Sequence, residues 1–438
     1  MDPRARRHRV AGLALAAAFR YRDFRLYWFG HAVSNGGTWM ETLGQGWLVV
    51  QLAVRDGSPG LAPLYLGLIG LARALPALGL GLVAGAVADR VERRRLLILT
   101  QLASVIPALA LFLVVAADVA TIGLVVAVAA VRSALFSFEL PLRQAMVPHL
   151  VQPQHLMSAV GLTQAGTTAP QVLGPLLGGL IVQATGSVAL LFLFNAASYV
   201  AIAGALSLMR TAPPPPAVRT SIVASVREGL GYMRQDPVIR WCMILFAAVS
   251  FFSRPFVFLI PAFAADVLLV GATGLSWLMA AMGAGGFSGA LLVAGLGSVR
   301  RRGLLVLSLC AGTGLSVMLF AVQRDLAAGM VLAACVGLSS VAFNGVANTT
   351  LQTTAPRHML GRVMSVFAMI FIGVLPLGQF ALGALGSVVH IDAALFVGGT
   401  GTLVVAAYAT LRVPAIRGLE SAAGRAGAAE PVPTIKAS

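Results

Sequence analysis

Charge is what this sequence has least of. Only 11% of its 438 residues are Asp, Glu, Lys or Arg, against 58% that are hydrophobic, and the mean hydropathy is +0.89. A soluble globular chain carries about 25% charged residues, so a water-covered fold is excluded and lipid must face much of the surface. The alternation of apolar and polar residues that marks a membrane β-barrel is also missing. The apolar runs are continuous, and about 20 such residues cross a bilayer as a helix. There is one lysine, Lys436, and Pro431-Val432-Pro433-Thr434-Ile435 precedes it rather than a glycine-rich phosphate loop. A nucleotide-driven motor of that class is therefore excluded. The three cysteines (Cys242, Cys310, Cys335) lie far apart inside apolar runs, as packing residues do, and not in a disulfide framework or a metal-ligand spacing. With no His-Glu-x-x-His and no acidic cluster, no metal or cofactor is expected, and nothing points to an enzyme.

Twelve apolar runs are present. They fall at about 26–52, 63–88, 96–117, 119–141, 158–182 and 188–208, then 239–264, 272–296, 304–322, 326–349, 362–386 and 390–412. The predicted fold is all-α and transmembrane, with twelve helices. The net charge of +16 could suggest nucleic acid, but the basic residues collect in alternate loops, so no nucleic-acid partner is expected. With the N-terminus inside, 26 of the 31 basic residues fall on inner segments and only Arg55 and Arg324 on outer loops. The excess of Arg and Lys on one side sets both termini in the cytoplasm. Val10–Phe19 looks like a signal-peptide core, but Arg20-Tyr21-Arg22 follows at once, so it reads as an uncleaved interfacial segment.

Residues 209–238 form the only long non-spanning stretch inside the chain. Pro213–Pro216 is a stiff spacer, and Ile222, Val226, Leu230 and Met233 make one apolar stripe of a helix expected on the inner membrane face. Five segments follow: a basic N-terminal segment (1–25), a six-helix bundle (26–208), this linker, a second six-helix bundle (239–412) and a tail (413–438) read as disordered. The two bundles carry the same landmarks in the same order. Gln144-x-x-x-Pro148 and Met157-Ser158 in the first match Gln352-x-x-x-Pro356 and Met364-Ser365 in the second. Arg93-Arg94-Arg95-Leu96-Leu97 matches Arg300-Arg301-Arg302-Gly303-Leu304-Leu305. Parallel repeats of this kind are a transporter architecture with the substrate site between the halves.

The loop after span 2 reads Gly85-Ala86-Val87-Ala88-Asp89-Arg90-Val91-Glu92-Arg93-Arg94-Arg95. Its small residues let a neighbouring helix approach closely, and its acid can face the positive end of another helix. The plainer reading is a basic turn that fixes topology. The segment resembles the Gly-x-x-x-Asp-Arg-x-x-Arg-Arg signature of the major facilitator superfamily. Further matches are Gly37-Thr38-Trp39-Met40, Pro141-Leu142-Arg143-Gln144-Ala145, Leu173-Gly174-Pro175, Phe194-Asn195-Ala196-Ala197-Ser198, Arg227-Glu228-Gly229-Leu230 and Gly361-Arg362-Val363-Met364-Ser365. They resemble the drug:proton antiporter branch that contains the bacterial enterobactin exporter. Gln171 stands where that branch often has Arg, and the second copy of the loop has lost its acid. The resemblance implies two six-helix bundles around a central cavity lined by spans 1, 4, 7 and 10. It also implies a conformational switch in which Gly85, Asp89, Arg90, Arg93 and Arg94 lock against Gly361 and Arg362. A monomer in the bacterial inner membrane, moving a small molecule with protons as partner, is the implied setting.

Four charges lie inside spans: Glu41, Arg73, Arg132 and Arg254. Each costs about 2.5–3.5 kcal/mol to insert at the bilayer centre, which makes each a functional hypothesis. Desolvation favours a neutral carboxyl and a nearby Arg a charged one, so Glu41, with Arg73 or Arg132, can be a proton carrier. It can equally be a fixed ion pair with Arg73, or a substrate contact. Arg132 and Arg254 offer donor forks suited to carboxylate or phenolate oxygens. Trp39, Gln45 and Phe256 complete the cavity candidates, and Glu139 is expected at the inner mouth of span 4. The reading that follows is proton-coupled efflux of small amphipathic molecules such as drugs or siderophores. An importer of the same fold, or a non-transporting sensor or assembly partner, stands as the alternative.

Overall fold

The computed structural model describes residues 17–88, 92–210, 222–295, 301–356 and 358–419. The first half holds span 1 (Arg22–Arg55), span 2 (Ala62–Ala88), span 3 (Arg93–Ala116), span 4 (Ile122–Met146), span 5 (Leu156–Thr185) and span 6 (Ala189–Ser207). After the linker helix (Ile222–Gln235), span 7 runs in three pieces: Pro237–Ala248, a π-helical turn Val249–Ser253, and Phe256–Asp266. Span 8 (Ala272–Gly295), span 9 (Arg302–Ala321), span 10 (Leu326–Thr354), span 11 (Leu360–Val389) and span 12 (Ile391–Arg412) complete the second half. Among the described residues, eleven helices are long and apolar enough to cross a membrane. Span 1 is longer than any of them, at 34 residues, and is set apart by its polar stripe of His31, Asn35, Thr38, Thr42 and Gln45.

Local chemistry fixes the helix starts. Asp236 caps span 7 by accepting from the backbone of Val238 (2.8 Å) and Ile239 (3.1 Å), with Pro237 at the first helical position. Asp325 caps span 10 through Ala328 N at 2.8 Å, and Thr121 caps span 4. These side chains take up backbone donors that a helix leaves unpaired at its N-terminus. Span 5 stops at Gly186, whose φ of +71° suits a residue without a Cβ.

Packing repeats between the halves. Span 1 packs on spans 5 and 6, span 3 on spans 4 and 6, and span 2 on span 4. The same five pairings recur as 7 with 11 and 12, 9 with 10 and 12, and 8 with 10. The halves meet through span 2 against span 11 and span 5 against span 8. Small residues make this seam possible. Gly383 faces the backbone of Pro63 and Gly67, and Gly283 faces the Gln171 carbonyl, so a side chain at either would strike main chain.

The seam closes one end only. At the arginine-poor end a single apolar core joins both halves, with Leu43, Val49 and Leu66 from one and Phe256, Leu259 and Leu275 from the other. At the arginine-rich end the cores are separate. Phe24, Tyr27, Leu97 and Met146 form one, and Met243, Phe246, Val306 and Phe343 form the other. Outward-facing side chains such as Ile106 and Leu411, each more than 70% exposed, are the apolar belt that lipid would cover.

Two segments differ from expectation. The linker helix docks on protein: Leu230 and Met233 pack on the second core, Gly229 sits against the Arg362 carbonyl, and Glu228 pairs with Arg362 at 2.6 Å. The tail begins as a short helix, Pro414–Arg417, whose Ile416 is fully buried against the start of span 9. At the other end, Ala17–Arg20 folds onto span 5, where Ala18 N donates to Ser158 Oγ at 3.2 Å. Val10–Ala16, and the tail beyond residue 419, lie outside the described residues.

Candidate functional site

Helical spacing assembles the site. On span 1, His31, Asn35, Thr38, Thr42 and Gln45 recur every three or four residues and Glu41 sits beside them; on span 4, Arg132, Glu139 and Arg143 fall on one face. Spans 3 and 6 close over these two stripes with Ser104, Asn195 and Tyr199, all buried.

Glu41 is buried on span 1. Its carboxylate accepts from Asn195 Nδ2, which also donates to Tyr199 Oη at 3.0 Å. Arg132 then binds Tyr199 Oη through Nε at 2.7 Å, with its guanidinium carbon 4.5 Å from the tyrosine ring centre. The other edge of Arg132 reaches Ser104 Oγ (3.1 Å) and Glu139 Oε1 (2.8 Å). Glu139 is not a mouth residue: it is wholly buried and takes a second guanidinium, Arg143 Nη2, at 3.1 Å on its other oxygen. One carboxylate held by two arginines satisfies the requirement that buried charges be paired.

Arg143 carries the network on to span 1. Its Nη1 lies 3.0 Å from His31 Nδ1, so the imidazole accepts there and carries its proton on Nε2. Nε2 is 3.2 Å from Thr167 Oγ1 and 3.0 Å from the Asn35 amide, and the ring stacks on Tyr27 at 5.6 Å. These residues line a pocket of about 390 Å³ between spans 1, 4 and 5, with Phe136, Val160 and Gln164 among its walls. A continuous polar chain thus runs from Glu41 to a pocket in the half of the molecule that bears the arginine-rich loops.

The fixed Glu41–Arg73 ion pair, one of the three readings of Glu41, is not formed. Arg73 donates instead to Gln45 Oε1, its own carbonyl accepts from Ser133 Oγ at 2.7 Å, and its guanidinium lies 5.6 Å above the Phe258 ring of span 7. Arg132 and Arg73 both remain electrostatic neighbours of Glu41. Gln45 and Arg73 line a narrow cleft between the halves with Thr42, Phe258, Pro261 and Gln379. Gln379 bridges the seam by donating to Leu66 O at 2.7 Å.

Other expected residues fall elsewhere. Phe256 is no cavity residue: it is 1% exposed and packs edge-on to Phe320 at 4.7 Å. Trp39 lies against Gly174 of span 5. Arg254 stands on the second half, over the Phe371 ring at 4.3 Å. Among the switch residues, Asp89 and Arg90 lie outside the described residues, and nothing is described of the Gly85 surroundings. Arg93 opens span 3. Arg94 engages its own half, donating to Leu206 O at 2.7 Å and Ser207 O at 2.5 Å, where it caps the carbonyl end of span 6. Gly361 faces open space, and Arg362 holds the linker helix.

Two repeated six-helix halves, joined at one end around buried charges, define a membrane transporter of the major facilitator type. The chain belongs to the family described as transmembrane secretion effector, which matches residues 14–436. It is 25% identical over 375 residues to the multidrug efflux pump Tap of Mycolicibacterium fortuitum, covering 83% of this chain and 89% of that one. It is 31% identical over 262 residues to an enterobactin exporter of Shigella boydii, covering 60% of this chain and 62% of that relative, less than two thirds of its length. The fold matches a peptide transporter solved with sulfate (TM-score 0.71, 13% identity, 91% of this chain and 96% of that one). It also matches a D-xylose–proton symporter (TM-score 0.68, 14% identity, 94% and 99%). Family and relatives alike are membrane transporters, not enzymes.

Proposed function

We propose that this protein is a proton-coupled exporter of small amphipathic molecules, working by alternating access in the bacterial inner membrane as a monomer. The observation that carries the reading is Glu41, a carboxylate buried in the first half, near two guanidiniums, at the end of a polar chain leading to a pocket. Among the described residues its charge is offset by groups on spans 2, 4 and 6, all in the first half, while the cleft that Arg73 lines is closed on its far side by the second half. Rocking of the halves changes what lies across that cleft, and with it the balance between desolvation and the cationic neighbours. A carboxyl in that position loads and releases a proton as access switches sides. The efflux direction is supported by the two relatives, one a multidrug efflux pump and one a siderophore exporter. The arginine-rich face is the cytoplasmic one by the distribution of positive charge, so the described state is open to the cytoplasm, ready to receive cargo. Asp89 with Arg90 and Arg93 is the proposed lock against Gly361 and Arg362 in the opposite state.

The test is gradient-driven efflux in proteoliposomes, using an ethidium-class dye and an imposed pH gradient. Glu41→Gln, which keeps the hydrogen bond partner but cannot carry a proton, should abolish accumulation against the gradient while leaving downhill exchange. Undiminished uphill transport by that variant would overturn the proton role of Glu41.

A further inference from the structure

Arg254 is set apart from the other arginines inside the spans. Arg132 and Arg143 share Glu139, and Arg73 binds Gln45 beside Glu41. Arg254 has no carboxylate beside it among the described residues, and its Nη1 is buried without a hydrogen-bond partner there. Its guanidinium carbon lies 4.3 Å from the centre of the Phe371 ring on span 11. A buried guanidinium without an acceptor is costly, and such groups are found paired or on a substrate path.

The backbone presents this side chain deliberately. Arg254 N bonds to Val249 O at 2.9 Å, a five-residue step that closes the π-helical turn Val249–Ser253. Pro255 follows and donates nothing, so the helix restarts at Phe256. A π-turn adds one residue to the helix and rotates everything before it relative to everything after. Beyond the turn, Val257, Phe258 and Pro261 line the cleft between the halves. Arg254 precedes them on the same span, nearer the arginine-rich end. The span that carries it thus walls the cleft from the second half, and Arg73 lines the cleft from the first.

The geometry points to Arg254 as an anion-binding subsite of the translocation path, taking the carboxylate or other planar oxyanion of an amphipathic aromatic cargo. Phe371 occupies one face of the guanidinium and orients it, leaving the donor edge for a two-point bond to the oxyanion. The same ring is anchored on the second core, 6.3 Å from Phe246, which stacks on Phe367 at 4.1 Å. A half-buried ring beside a fork of donors matches a ligand with an aryl body and an acidic group. The inference rests on the transporter reading but not on its proton step.

Binding without any gradient therefore tests it separately. The full chain, purified in detergent, would be titrated with 2-naphthoate and with 2-naphthamide, the neutral probe of the same shape, by calorimetry. The acid should bind about tenfold more tightly than the amide, the difference a charge-assisted hydrogen bond supplies. Arg254→Gln should remove that preference, bringing the affinity for the acid down to that for the amide. Arg254→Lys, which keeps the charge on a less matched donor, should retain part of it and serves if the glutamine variant folds poorly. Equal affinity of the wild type for acid and amide, no binding of the acid, or an acid preference that survives Arg254→Gln would each overturn the subsite. None of these bears on Glu41→Gln in the efflux assay.

Discussion

Glu139 shows how much one carboxylate can hold. It neutralises Arg132 and Arg143 at once, in a site with no exposure to solvent. Removing its charge leaves two guanidiniums against a neutral amide, and breaking a buried pair costs about 3–5 kcal/mol. Glu139→Gln should lower the melting temperature of the detergent-purified protein clearly. Arg143→Gln, which keeps the Arg132 pair, should lower it less; a wild-type melting temperature for Glu139→Gln would refute this account. Glu41, Arg73, Arg132 and Arg254 were legible in the sequence because a charge in an apolar run is rare for energetic reasons. The burial and pairing of Glu139 and Arg143 were not, since they lie near a helix end where a few residues of boundary error separate mouth from core. Asn195 was visible within a family landmark, Phe194–Ser198, but Tyr199 was not singled out; its four-residue spacing from Asn195 was the signal that could have placed both on one face. Phe256 was misplaced because aromatic character does not distinguish a cavity wall from packing.

At the scale of elements, the twelve spans follow from hydropathy, and span 1 stands out by its polar stripe. The π-turn in span 7 does not show in the sequence, because one extra residue barely disturbs an apolar run. The docking of the linker helix was also hidden. Its stripe suits lipid and protein equally, and only the fit of Gly229 to the Arg362 carbonyl decides between them. The seam between spans 2 and 11 depends on Gly383, where Gly67 Cα lies 3.0 Å from the position a Cβ would take. Gly383→Val should therefore pry the arginine-poor end open. In a background with the three cysteines replaced by Ser, Ile69→Cys reports this, since Ile69 is 3% exposed in the cleft between halves. Adding Gly383→Val should speed its reaction with a membrane-impermeant maleimide from that side. Unchanged labelling would show that the seam tolerates the larger residue.

For the whole molecule, the linker and the paired landmarks made two halves legible, and the five repeated helix pairings give them spatial form. Which end is closed was not legible, because both ends of the seam read as small and apolar residues. The charge distribution makes a topological prediction: a reporter fused after residue 438 should be active only in its cytoplasmic form. A protease-protected C-terminus in inside-out vesicles would contradict it.

The halves also divide labour. Every acid–base group of the polar chain from Glu41 to His31 lies in the first half. The second half contributes one guanidinium on an aromatic ring, and holds the linker helix firmly to itself. On the proposed roles of Glu41 and Arg254, engine and grip fall on different stretches of sequence, and the linker stays with the grip. Recombining the first half with the linker and second half of a relative should yield hybrids that keep this protein's driving ion while adopting the other's cargo.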